Sequence, residues 1–175
     1  MKLDQVQIAN FRNLSSISFS PSPSLTIIQG VNGSGKSSII EALYYLGFGR
    51  SFRTNKHSAV IQHDKNEFSV FAACHNENGD KQKIGFQRTR GDQFTCSIDG
   101  EHSKKLSDLV SLVPIQLFTP QSTDLIIGSP SERRRFCDWG LFHVKPQFQS
   151  VANQYAKFLK HRNALLKQQA NLSAP

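Results

Sequence analysis

Leu25-Thr26-Ile27-Ile28-Gln29-Gly30-Val31-Asn32-Gly33-Ser34-Gly35-Lys36-Ser37 decides how this chain is read. Its first five residues are a nearly continuous apolar run rich in β-branched side chains. Such a run predicts a strand buried on both faces, as at the centre of an α/β sheet. Gly30 to Ser37 matches G-x-x-x-x-G-K-[ST] at every position. Beyond it, Ile39, Ile40, Leu43 and Leu46 fall at helical spacing, and Gly47 and Gly49 end the helix. Chance matches to the pattern arise on the order of once per hundred chains of this size, and the strand–loop–helix context makes them rarer.

The chemistry explains the residue types. Glycines at Gly30, Gly33 and Gly35 let the backbone curl around a phosphate without Cβ clashes, so that consecutive N–H groups point inward. Val31, Asn32, Ser34 and Ser38 belong to the same cradle. The N-terminus of the following helix adds partial positive charge. Lys36 reaches the β- and γ-phosphates, and the Ser37 hydroxyl ligates Mg²⁺. The pattern therefore points to ATP with Mg²⁺; a tight glycine turn that binds nothing is the competing reading. Hydrolysis needs more, namely an acidic residue at the end of a strand of about four apolar residues. Cys96-Ser97-Ile98-Asp99 and Val60-Ile61-Gln62-His63-Asp64 come closest, and neither qualifies, so no general base can be named.

Around this centre the chain reads as mixed α/β. Leu3 to Phe11 is a strand, and a weaker one through Ile17 and Phe19 stops at Pro21 and Pro23. Phe68–Cys74, Lys83–Gln87 and Phe94–Ile98 are strands joined by turns at Asn78-Gly79-Asp80 and Asp99-Gly100, an antiparallel sheet beside the nucleotide-binding strand. Lys104–Leu112 is a short helix, Val113–Phe118 a strand, and Ser131–Phe142 a helix. Pro146 to Gln169 is the longest helix, with Phe148, Val151, Ala152, Tyr155, Phe158, Leu159, Leu165 and Leu166 on one stripe. No glycine stops that helix before Ser173-Ala174-Pro175.

Composition sets the class. No run approaches the ~18 uncharged apolar residues of a membrane span, and the N-terminus lacks a signal-peptide pattern. Lys and Arg total 21 against 13 Asp and Glu, a net charge of +8. Such a domain attracts polyanions, of which nucleic acid is the commonest inside a cell; charge carried for solubility is the alternative. Cys74, Cys96 and Cys137 are odd in number and widely spaced, which fits buried, reduced thiols and a cytoplasmic location. The six histidines show no metal spacing, and His57, His63 and His75 read as surface residues.

Ile8-Ala9-Asn10-Phe11-Arg12-Asn13-Leu14, the cradle, Glu41-Ala42-Leu43-Tyr44 and Gly49-Arg50-Ser51-Phe52-Arg53 together resemble the RecF family of bacterial recombination-repair ATPases. Leu117-Phe118-Thr119-Pro120-Gln121, Gly128-Ser129-Pro130, Arg133-Arg134-Arg135-Phe136-Cys137-Asp138-Trp139 and His161-Arg162-Asn163-Ala164-Leu165-Leu166 continue the match in order to the end of the chain. The resemblance implies an ABC/SMC-like ATPase head lobe with an antiparallel β subdomain (residues 1–142) and the start of a helical second domain (143–175). It implies a head that dimerises over ATP, binds single-stranded, gapped or duplex DNA, and loads recombinase at gaps with RecO and RecR partners in repair, replication and the SOS response. It places Arg12 near the nucleotide and makes Gln121 the residue beside magnesium and the attacking water. Family members are about twice as long, with the signature motif and Walker B strand in their other half. The chain thus reads as an N-terminal half that does not hydrolyse ATP alone.

Other readings stay open. A nucleotide-gated DNA-binding scaffold without turnover fits the missing acid, and a P-loop small-molecule kinase fits the cradle alone. Arg133-Arg134-Arg135 reads equally as a DNA or intersubunit contact and as a solvated face paired to Glu132 or Asp138. Arg50 and Arg53 are candidate phosphate contacts, and Lys81, Lys83, Arg88 and Arg90 candidate DNA contacts against a default of exposed hairpin charges.

Overall fold

The computed structural model describes residues 1–76, 78–103 and 105–172. It divides into two compact units, Met1–Leu117 and Phe118–Pro175, each described by itself below. The division after Leu117 differs from the one at residue 142 that the family resemblance implies.

In the first unit, six strands form one wholly antiparallel sheet. They are β1 (Lys2–Phe11), β2 (Leu14–Phe19), β3 (Glu67–His75), β4 (Lys81–Thr89), β5 (Phe94–Ile98) and β6 (Glu101–Ser103), in the order β2-β1-β3-β4-β5-β6. Period-2 alternation puts one side of each strand on the core. Val6, Ile8 and Phe11 of β1, Phe68, Val70 and Ala72 of β3, and Ile84 and Phe86 of β4 are all buried. The register shifts between Leu3 and Gln5, so Asp4 has no place in the β1–β3 ladder and its carboxylate meets His75 Nδ1 at 2.7 Å.

Helix α1 (Lys36–Phe48) buries Ser38, Glu41, Ala42, Tyr45 and Leu46, which recur at three- and four-residue intervals as a core-facing stripe must. Phe11, Tyr45, Phe68 and Phe86 interlock there, with Phe11 edge-on to Tyr45 at 5.7 Å and to Phe68 at 5.0 Å. Burying each such ring contributes roughly 1.5–3 kcal/mol. The expected apolar stripe is displaced around the helix: Ile40 is exposed, and Ile39 and Leu43 only half-buried. Gly47 continues the helix, and Gly49 alone ends it, in the left-handed region at φ 62° with its N–H on Tyr45 O at 2.8 Å.

Two expected strands do not form. Leu25–Gln29 is irregular, with Leu25 70% and Ile27 76% exposed. An extended run becomes a strand only when a neighbour supplies a ladder, and the six described strands are hydrogen-bonded to one another instead. Val113–Phe118 is irregular too. Val113 is buried and Ile115 half-buried, and an added Cβ at Gly47 would stand 2.9 Å from Ile115 Cβ and 3.0 Å from Val113 O. This segment packs on α1 by close approach to a glycine, not by pairing. Before it lies α2 (Leu106–Leu112); Lys104, expected at its start, falls outside the described residues.

In the second unit, a short 3₁₀ turn (Pro120–Thr123) and a single helical turn, α3 (Asp124–Ile127), precede α4 (Pro130–Val144) and α5 (Phe148–Leu172). Pro130 occupies the first turn of α4, where its missing N–H costs nothing. On α5, Val151, Tyr155, Phe158 and Leu165 of the expected stripe are exposed. The expected Ser173–Pro175 end is outside the described residues. No described helix is long and apolar enough to cross a membrane.

Candidate functional site

The glycine loop is built as the motif requires. Gly33 and Gly35 sit at φ 83° and 98°, values L side chains rarely adopt, and Gly35 is the N-cap of α1. A Cβ on Gly35 would meet Leu14 Cδ2 at 2.6 Å, whereas one on Gly33 would meet nothing within 4 Å. Gly35 is thus needed for packing as well as for the curl, and Gly33 for the curl alone. No side chain caps α1 and no acidic residue lies in its first turn. Its orphan N–H groups therefore stay available to an anion.

Lys36 Nζ folds over the loop and donates to Gly30 O and Val31 O, both at 2.8 Å. Among the described residues no carboxylate pairs with it. Ser34 N–H bonds Val31 O at 3.2 Å and closes the turn. Asn32, Gly33, Gly35, Lys36, Ser37 and Ser38 line one open cleft of about 660 Å³ together with Arg12, Asn13, Arg53, Ala59 and Ile61. Gly30, Val31 and Ser34 belong to the same loop and do not line the cleft. Arg12, placed near the nucleotide only by resemblance, thus stands in the same cleft as the loop. Gln121 lies in the second unit, its backbone in the Pro120–Thr123 turn.

Three ties that sequence reasoning did not identify shape this cleft. Asn13, in the β1–β2 turn, donates from Nδ2 to Gly33 O at 2.8 Å and accepts from Ser38 Oγ at 2.9 Å, clamping loop to helix. Residues 56–62 are pinned to the end of β1 by Arg12 N–H on Val60 O at 2.7 Å and Gln62 N–H on Asn10 O at 2.8 Å. That path brings Ala59 and Ile61 to the cleft, and it holds Asn10 and Arg12 at positive φ of 57° and 55°. Finally, Glu41 is fully buried on the core side of α1, and Arg12 Nη2 reaches its Oε1 at 2.7 Å. A carboxylate on a buried stripe is the signal available in the sequence, and it is hidden because the buried stripe lies one position from the apolar one.

Several candidate cations are engaged elsewhere. Arg88 is buried, donates to Gly49 O at 3.1 Å and pairs with Asp92 at 2.8 Å. Arg90 donates to Lys65 O at 2.7 Å and Gln62 O at 3.0 Å. These two tie loops together, Arg88 from a buried position and Arg90 from an exposed one; Lys81 and Lys83 are exposed. In the second unit Arg133 donates to Gly128 O at 3.1 Å and Arg135 pairs with Glu132 at 3.1 Å. His57, expected on the surface, is half-buried with Nδ1 at 3.1 Å from the Tyr45 hydroxyl. Burial, then the Arg88 charge, lowers its pKa, and burial pushes the Tyr45 hydroxyl up to about 12. Burial likewise raises the Cys74 and Cys96 thiols, whereas Cys137 is exposed. No metal-binding cluster of His, Cys, Asp and Glu occurs among the described residues.

A phosphate-type glycine loop opening a helix that lies on an antiparallel sheet defines a P-loop ATPase head of the ABC/SMC kind. An SMC ATPase structure shares this fold at a TM-score of 0.65 and 22% identity, over 79% of this chain and 99% of that one. The chain belongs to the RecF/RecN/SMC N-terminal domain family, whose model matches residues 2–172. Within it, the chain is 52% identical to the DNA replication and repair protein RecF of Pseudoalteromonas atlantica over 97% of its own length and 46% of that protein's. It superposes on the recombination mediator RecF, in a structure with ATP, at a TM-score of 0.81 and 28% identity, over 95% of this chain and 45% of that one. The chain spans about half the length of the curated relatives it matches.

Proposed function

We propose that this chain is the nucleotide-binding half of a RecF-type DNA replication and repair protein, taking ATP with Mg²⁺ in the cleft between Arg12 and the Gly30–Ser38 loop. The carrying observation is the pairing of an uncapped helix N-terminus with a glycine loop and a lysine whose partners among the described residues are carbonyls. Residues of this kind fit a polyphosphate: amides for oxygens, Lys36 for charge, and the Ser37 hydroxyl for a hard divalent cation. ATP supplies a triphosphate whose charge these groups complement. Lys36 then exchanges two carbonyls for anionic oxygens, a stronger partner. Asn13 keeps the loop in register while it does so.

The reading extends to a cytoplasmic role in DNA repair in which ATP controls pairing of two heads, DNA is bound, and RecO/RecR-type mediators assist; the name of the DNA replication and repair relatives supports its repair part. Arg12 toward the nucleotide and Gln121 in hydrolysis belong to this reading, as does a helical second domain from residue 143. Titrating a fluorescent ATP analogue with Mg²⁺ against the chain and against Lys36→Ala tests it. Binding that Lys36→Ala abolishes supports the reading; equal signals from both overturn it. Duplex DNA affinity should fall steeply with salt, since each phosphate contact releases counterions.

A second reading, a nucleotide-gated module without turnover, is favoured by one observation. No Asp or Glu is among the described residues lining the cleft. Turnover of the chain alone, at a rate that Lys36→Ala abolishes, would exclude that reading.

A further inference from the structure

Glu41 is the one fully buried carboxylate among the described residues, and phosphate binding as set out above gives it no task. Three side chains from two stretches of chain converge on it. Arg12 donates from Nε to Oε2 at 3.1 Å and from Nη2 to Oε1 at 2.7 Å. Ser51 Oγ donates to Oε1, while itself accepting from Arg53 N–H at 2.8 Å and Thr54 N–H at 3.1 Å. Arg53 Nη1 stands 3.6 Å from Oε2. The remaining Arg12 nitrogen, Nη1, donates to Ala59 O at 2.9 Å. The guanidinium is therefore fixed along both edges, and its side chain keeps 24% exposure on the cleft side.

Glu41 lies four residues beyond Ser37 on the same helix, one turn below the cradle. Whatever fixes Arg12 to Glu41 also fixes it relative to Lys36 and Ser37. We propose that Glu41 is a positioning residue of the nucleotide cleft, locking Arg12 to the helix that carries Lys36 and Ser37. The inference rests on the reading of that cleft as a nucleotide site. A bidentate fork fixes orientation as well as proximity, which a lone ammonium at Arg12 could not do.

Charge alone makes the opposite prediction. Removing a carboxylate makes the cleft more positive and should tighten an anion. Positioning predicts weaker binding instead, because a released guanidinium must be ordered again each time the ligand binds.

The test measures affinity of the 175-residue chain for the fluorescent ATP analogue with Mg²⁺ in wild type, Glu41→Gln, Arg12→Ala, Arg12→Lys and the Glu41→Gln/Arg12→Ala double variant. Glu41→Gln should bind about tenfold more weakly, the scale of one lost charge-assisted hydrogen bond. The double variant should bind no more weakly than Arg12→Ala, since Glu41 acts through Arg12. Unchanged or tighter binding by Glu41→Gln, or losses that multiply in the double variant, would overturn the proposal. Should Glu41→Gln not fold, Arg12→Lys carries the test. It keeps the charge and leaves Glu41 with Ser51 and Arg53, so weaker binding supports the lock and wild-type binding refutes it.

A ligand-free readout separates positioning from mere stability. The Arg12 Nε–H resonance should be sharp and slow to exchange with solvent in wild type, and broadened in Glu41→Gln. The same slow exchange in both would refute the lock. A wild type that binds no analogue overturns the nucleotide reading and this inference with it. A wild type that binds, with Glu41→Gln equal to it, overturns the inference alone.

Discussion

The glycine loop has two flanks of similar apolar character and opposite fates. Behind it, Lys36–Phe48 is helical, with Tyr45 and Leu46 wholly buried; ahead of it, Leu25–Gln29 is irregular, with Leu25 and Ile27 in solvent. The difference is where backbone hydrogen bonds come from. A helix satisfies its own N–H and C=O groups within four residues and needs only a surface to lie on. A strand needs a neighbour, and hydrophobicity cannot supply one.

That contrast can be broken by mutation. The largest effect is expected for Tyr45→Ala, on the helical flank, which empties the centre of the aromatic cluster. It should lower unfolding free energy by about 3–5 kcal/mol in urea titration. A loss below ~1 kcal/mol would mean the helical flank is no better anchored than the other. Gly47→Ala comes next. Helix propensity favours the alanine, yet its methyl meets Ile115 and Val113 O, so a net loss of about 1–3 kcal/mol is expected. A gain in stability would show that the Val113–Leu117 segment yields easily.

Acid should weaken the helical flank by a smaller amount. Burial disfavours protonated His57, so folding favours the neutral ring. That contribution is whole above the ordinary histidine pKa of about 6.5 and is lost as pH falls past it. The melting midpoint should therefore drop between pH 7.5 and 5.5 by more in wild type than in His57→Gln. The Tyr45 hydroxyl, raised to about 12, acts with the reverse sign: its share is intact below pH 10 and lost above. The smallest effect is expected for Ile27→Ser, on the exposed flank. A change within about 0.5 kcal/mol is expected there, as for surface positions in general. A loss comparable to that of Tyr45→Ala would erase the contrast.

Several features were legible from residue order. Three glycines and a lysine at fixed spacing announced the loop, because only that backbone path and that cation suit it. Alternation in Phe68–Cys74 and Phe94–Ile98 announced strands of the antiparallel sheet, since a period of two is visible wherever one face is buried. Only the family pattern connects Arg12 with the nucleotide. Asn13, Ser51 and Ala59 are brought in by the tertiary structure, because hydrogen bonds between residues 10 to 47 positions apart leave no mark on local periodicity. The burial of Arg88 and the carbonyl partners of Arg90 are likewise set by distant loops and leave no trace in the hairpin sequence.

Residue order alone specifies a phosphate loop opening a helix, a β-rich region after it, a net positive charge and a family. Each of these depends on residues near one another in the chain, where sterics and short-range periodicity act directly. Only the tertiary structure decided that Leu25–Gln29 and Val113–Phe118 are not strands, that Glu41 faces the core, and that Arg12 is clamped between Glu41 and Ala59. Those outcomes turn on which distant groups are available to share a hydrogen bond or a buried charge.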